Sequence, residues 1–77
     1  MRGVASNLRV QTYLTLLNSL ALSEELHRAT PALETKVRAA WGMLSDKERA
    51  RATVLIETSP FRTALGREHI RLVEDPR

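Results

Sequence analysis

Apolar residues fall along this chain at helical intervals, with polar residues filling the gaps. Val10, Tyr13, Leu14, Leu17, Leu20 and Ala21 recur three and four positions apart, and Leu16 and Leu22 widen the stripe. Such spacing lines one face of an amphipathic helix and predicts a first helix over about 7–28. Ser23 either restarts or continues it, and Glu24 and Arg28 are spaced to pair one turn apart. Leu33, Val37, Ala40, Trp41 and Leu44 repeat the pattern most cleanly, predicting a second helix over about 31–44 with Glu34, Lys36 and Arg38 outward. A third, over about 46–58, contains Thr53-Val54-Leu55-Ile56, whose β-branched character would suit a strand. The cap just upstream and the lack of a strand partner decide for helix. Phe61, Leu65, Ile70, Leu72 and Val73 predict a fourth over about 60–73.

Punctuation residues support these boundaries. Thr30-Pro31 places a hydroxyl where it can cap free N–H groups and a proline at the first helical position. Ser59-Pro60 repeats the device. Ser45-Asp46-Lys47-Glu48 matches the capping box, in which serine and glutamate side chains each satisfy the other's backbone N–H. Gly66 weakens the fourth helix by about 1 kcal/mol relative to alanine, and Glu74-Asp75-Pro76-Arg77 is expected to fray. The fold class expected is all-α: one domain over 1–77, a compact bundle of three to four short helices joined by turns of a few residues, dimeric through the first helix.

The expectation of a dimer comes from size. At 77 residues without a cysteine, the chain is below the length at which a single core is comfortably stable, and no disulfide or thiolate metal site can staple it. Self-association or a partner remains. The first helix supplies a surface for it: residues 10 to 23 carry no charge, and Gln11, Thr12, Thr15, Asn18 and Ser19 form a polar but neutral outer face. Exposed helix faces are normally charged, so this one is expected to be covered, as in a central bundle element or a dimer seam. A signal-peptide reading of this run is disfavoured by Gln11, Thr12, Thr15 and Asn18. It is also too short to span a membrane, which takes about 20 apolar residues. A cytoplasmic location is expected.

The net charge of +3 invites a nucleic-acid reading until the charges are placed. Residues 1–30, 31–59 and 60–77 each carry one net positive charge, and Tyr13, Trp41 and Phe61 are the sole aromatics. There is neither a basic block nor much material for stacking on bases. Catalytic motifs are missing as well. Gly3, Gly42 and Gly66 are isolated, with no phosphate-cradling loop, dinucleotide fingerprint or nucleophile elbow. Glu24-x-x-His27 has the spacing of one half of a di-iron carboxylate site, but such sites need two pairs and two further glutamates. No catalytic residue, metal or cofactor is expected.

Two functional readings remain. The leading one is a non-enzymatic protein-binding regulator, an adaptor or inhibitor of bacterial or phage type that docks a helical face on a larger protein. Its interface candidates are Tyr13, Leu16, Leu17 and Leu20 on the first helix, with Arg38 and Trp41 on the second. Trp41 also fits the core, given its spacing from Val37 and Leu44. The alternative is a small dimeric helix-turn-helix DNA binder, in which Arg62, Thr63, Arg67 and Arg71 of the fourth helix face the groove. Arg71 is spaced to pair with Glu68 or Asp75, which would consume its charge. Arg49 and Arg51 read as a solvated face near Asp46 and Glu48.

Overall fold

The uncharged run sits inside one long helix, α1 (Arg2–Glu25), in the computed structural model, which describes residues 2–28 and 30–74, with side chains from Leu8 onward. Three further α-helices follow: α2 (Pro31–Gly42), α3 (Asp46–Glu57) and α4 (Arg62–His69). A π-helical turn, Ile70–Glu74, continues α4. The described residues form no strand, so the all-α expectation holds, including helix over the β-branched run at 53–56. α1 packs against α2, α3 and α4 alike and is the central element of the bundle.

The reason is the stripe read from the sequence. Val10, Tyr13, Leu17, Leu20 and Ala21 are buried, and around them close Val37 and Leu44, then Ala52 and Ile56 of α3, Leu65 of α4 and Leu72 of the π turn. Leu14, Leu16, Leu33 and Trp41 pack against this core while staying partly exposed. The neutral outer face of α1 behaves otherwise: Gln11, Thr12, Thr15, Asn18 and Ser19 are all exposed. The bundle itself does not cover it.

Helix ends show which punctuation works. Ser45 Oγ accepts the Glu48 N–H at 3.2 Å, and Glu48 Oε1 accepts the Ser45 N–H at 2.8 Å, so the capping box is complete. At Thr30 only the proline half of the signal operates. The Thr30 hydroxyl caps nothing and instead lies 3.1 Å from Glu24 Oε2 and 3.3 Å from Glu34 Oε2. Its single proton goes to these carboxylates, and in the orientation that delivers it the hydroxyl oxygen accepts no N–H from the helix end. Ser59 Oγ accepts the Phe61 N–H at 3.0 Å within the connecting turn, and α4 begins at Arg62 with no side-chain cap.

α1 begins at Arg2 and not at about Asn7, and it stops at Glu25, short of residue 28. His27 adopts a left-handed backbone (φ 57°), with the Arg28 N–H bonded to the Ser23 carbonyl at 3.0 Å and the His27 N–H to the Glu24 carbonyl at 3.1 Å. This is the Schellman closure, usually made by glycine. The fourth helix also differs from expectation. Phe61 and Ile70 are 65% and 54% exposed, because the turn delays α4 and the wider π turn rotates the residues after His69 relative to a straight helix. Residues 75–77, expected to fray, lie outside the described residues. No helix among the described residues is long and apolar enough to cross a membrane.

The two serines make a direct comparison. Ser45→Ala should lower the unfolding free energy by about 1 kcal/mol, the usual worth of a helix cap, and Ser59→Ala by only a few tenths. Urea denaturation of the two variants measures both; equal losses would contradict the capping assignment.

Candidate functional site

Where α1, α2 and α4 meet, the interior turns polar. The Tyr13 hydroxyl lies 2.6 Å from His69 Nδ1, and His69 Nε2 lies 2.9 Å from Glu74 Oε2. A carboxylate can only accept, so in a neutral imidazole Nε2 carries the proton and Nδ1 accepts from the Tyr13 hydroxyl. Trp41 closes over the pair, its ring tilted against Tyr13 (centroids 5.1 Å apart) and edge-on to His69 (4.8 Å). Arg49 sits above the indole at 5.0 Å and donates to the Trp41 carbonyl at 3.2 Å. That placement corrects the reading of Arg49 as part of a solvated charge face: cation–π attraction and a carbonyl acceptor hold it instead.

Each member is placed by its own element. Tyr13 lies on the buried stripe of α1, His69 ends α4, and the π turn swings Glu74 back to His69 where the regular helix would carry it past. Glu74 is about half exposed, His69 is buried, and Tyr13 has no exposed surface. Burial pushes the Tyr13 phenol well above the ordinary tyrosine value of 10, and the nearby negative charge of Glu74 pushes it further in the same direction. The chain resembles a proton relay in form. It offers a substrate little, since both ring nitrogens are engaged within the protein and the tyrosine hydroxyl is sealed, so its evident work is to hold the end of the chain on α1.

Beside it lies a cleft of about 350 Å³ between α3 and α4, lined among others by Thr53, Glu57, Arg62, Thr63 and Gly66, with His69 and Glu74 at one side. On another side of the bundle two grooves of about 290 and 310 Å³ adjoin, sharing Asn18 and Phe61. Leu14, Leu22, Leu55 and Ala64 line them, and Glu25 at one end is the one charged lining residue.

The interface candidates divide accordingly. Tyr13, Leu17 and Leu20 are wholly inside the bundle, so a partner meeting the folded chain cannot touch them; their spacing reports core. Leu16 and Trp41 are partly buried, and Arg38 is exposed with its Nε 3.4 Å from the Leu72 carbonyl. Of the DNA-reading candidates, Arg62, Thr63, Arg67 and Arg71 are all exposed, but the structure does not leave them as a free basic row. Arg71 donates to Glu68 Oε1 at 2.6 Å and to Glu34 Oε2 at 3.4 Å, and Arg67 lies 3.5 Å from Glu68. The Glu68 hydrogen bond, followed by the charges of Glu68 and Glu34, holds Arg71 still more firmly in its charged form despite some desolvation. Among the described residues no three His, Cys, Asp or Glu side chains are grouped to hold a metal ion. His27 is exposed in its left-handed cap, and Glu24 turns to Thr30 and Arg71.

Comparison with protein-family models, with curated proteins and with solved structures finds no match to this chain. The polar chain and the Phe61 grooves were not anticipated from the residues. His69 and Glu74 stand five apart, a spacing no regular helix brings together, and only a π turn makes it a contact. Phe61 follows Ser-Pro, a start signal that placed it on a buried face; the non-helical turn frees it.

Tyr13 is the single tyrosine, which makes its chemistry measurable. The folded phenol keeps its proton where an unfolded one loses it, so above about pH 10 the folded state binds more protons and stability falls as pH rises, by up to about 1.4 kcal/mol per pH unit. Tyrosinate absorbance should therefore stay absent near pH 10 until the protein unfolds, and Tyr13→Phe should remove this component of the alkaline loss. The same variant should cost about 1–3 kcal/mol at neutral pH by leaving the His69 nitrogen unsatisfied. Ordinary titration near pH 10 in the folded protein would contradict the buried hydrogen bond.

Proposed function

We propose that this protein is a non-enzymatic protein-binding regulator, an adaptor or inhibitor that docks on a larger protein through the α1–α4 side of its bundle. The observation carrying the reading is Phe61, an aromatic ring 65% exposed at the centre of a nearly uncharged apolar groove. Aromatic side chains bordered by apolar, low-charge surface are the usual anchors of protein interfaces. Leu14, Leu22 and Leu55 extend the contact to either side, and Glu25 offers one charge at its edge. An amphipathic helix of the partner, laid along α1 with a basic residue opposite Glu25, fits this chemistry.

Self-association belongs to the same reading, on the neutral outer face of α1 and not on the apolar stripe that holds Tyr13, Leu17 and Leu20. That stripe is consumed by the chain's own core. Directly opposite that stripe, Leu8, Thr12, Thr15, Ser19 and Leu22 of α1, with Leu26 just past its end, are exposed at alternating spacings of four and three, the pattern of a helix–helix seam. A homodimer through α1 would use these residues.

The regulator reading is tested by affinity capture from the native host with the wild-type protein, Phe61→Glu and Arg51→Glu as parallel baits. Phe61 lies in solvent, so its replacement should change thermal stability by no more than about 0.5 kcal/mol. A protein held by wild type and Arg51→Glu but lost with Phe61→Glu is the expected result. An identical set on all three baits, or none on any, would overturn it. A salt-dependent DNA complex weakened by Arg62→Gln would favour the helix-turn-helix alternative instead.

A further inference from the structure

Three local choices around the α3–α4 cleft run against the physics of their own elements. Glu57 is the last residue of α3, where the helix dipole already presents negative charge, and Arg62 is the first residue of α4, where it presents positive charge; each is at the disfavoured end. Neither makes an ion pair with another described residue. Gly66 lies within α4, which glycine weakens. Its backbone is not left-handed and an added Cβ would meet nothing within 4 Å, so neither conformation nor crowding calls for glycine there. The π turn Ile70–Glu74, accounted for by the His69–Glu74 bond, forms one wall of the same space. All three border one cleft of about 350 Å³, within the size range of small-molecule sites.

Local rules broken together at one place are the mark of a site whose compensation comes from something bound. We infer that the cleft between α3 and α4 binds a small zwitterion of the free α-amino acid class. Its carboxylate is taken by Arg62 at the α4 N-terminus, which has no side-chain cap and presents the positive end of its dipole. Its ammonium is taken by Glu57 at the negative end of α3, with Glu74 as the second carboxylate on the cleft wall. The ligand's side chain lies against Ile56 and Ile70, over the surface that Gly66 leaves clear. Each charge that is misplaced for its own helix is correctly placed for such a ligand, because helix dipole and side chain then act on it with the same sign. The site is separate from the Phe61 grooves and does not depend on the docking reading.

The test screens the 77-residue chain against each of the twenty free α-amino acids by thermal denaturation, following hits by amide NMR shifts. At least one should raise Tm in a concentration-dependent way, by on the order of 10 °C at a hundredfold excess over Kd, with shifts centred on Glu57, Thr63 and Gly66. Gly66→Leu should fold with an unchanged or higher Tm, since it gains helix propensity, and should lose the response because its side chain occupies the cleft. Glu57→Gln and Arg62→Gln should each weaken binding at least tenfold, as should N-acetylating or amidating the ligand. No response to any amino acid would overturn the inference. So would a response that survives in Gly66→Leu, or one indifferent to blocking the ligand's amine and carboxylate.

Discussion

The bundle turns on the hydrogen bond between the Tyr13 hydroxyl and His69. A phenol with no exposed surface has to find a partner inside the protein, because leaving it unpaired costs about 1–3 kcal/mol. The one it finds is 56 residues away in sequence. Satisfying it brings the end of α4 onto the middle of α1, and His69, buried in turn, requires something at its second nitrogen. Glu74 meets that need only because the chain widens into a π turn after His69. Trp41 and Arg49 then close the open side, so a single buried hydroxyl accounts for the position of the last helix, its irregular end and the packing of the aromatic cluster.

Buried charge is organised by the same rule. Glu48 would be costly inside the bundle without partners, and it receives the Ser45 N–H together with Arg9, whose Nη2 lies 2.7 Å and Nε 3.0 Å from Oε2. A capping glutamate thereby becomes the clamp between α1 and α3. Glu68, equally buried, is held by Arg71, which also gathers Glu34 and Glu24 from the start of α2 and the end of α1. These pairings help explain why a chain with net charge +3 presents no basic stripe: Arg9 and Arg71 are committed to carboxylates of other helices, and Arg67 to its neighbour Glu68.

The helices were legible in the residues because their signals are local. Periodic leucines and valines, Pro31 and the Ser45–Glu48 box each specify structure within a turn or two. Signals that depend on distant partners were not legible. Nothing near Thr30 indicates that two glutamates will draw its hydroxyl from the cap, and nothing near Arg49 indicates an indole beneath it. The stripe holding Tyr13, Leu17 and Leu20 was read correctly as apolar and helical, yet sequence cannot distinguish a face buried by the same chain from one buried by another. The candidate surfaces were the least visible of all. Phe61 is set free by a turn, and the α3–α4 cleft arises from the approach of helices whose end residues are individually unremarkable.

The central claim, that a buried tyrosine donates to a histidine and so anchors the end of the chain, is tested most directly by ring-¹⁵N NMR of the two histidines in alkaline buffer. The account predicts that His69 populates one tautomer, with the proton on Nε2 and Nδ1 shifted as a hydrogen-bond acceptor, while exposed His27 averages between tautomers. A His69 ring that averages as His27 does, or one protonated at Nδ1 in its neutral form, would contradict it.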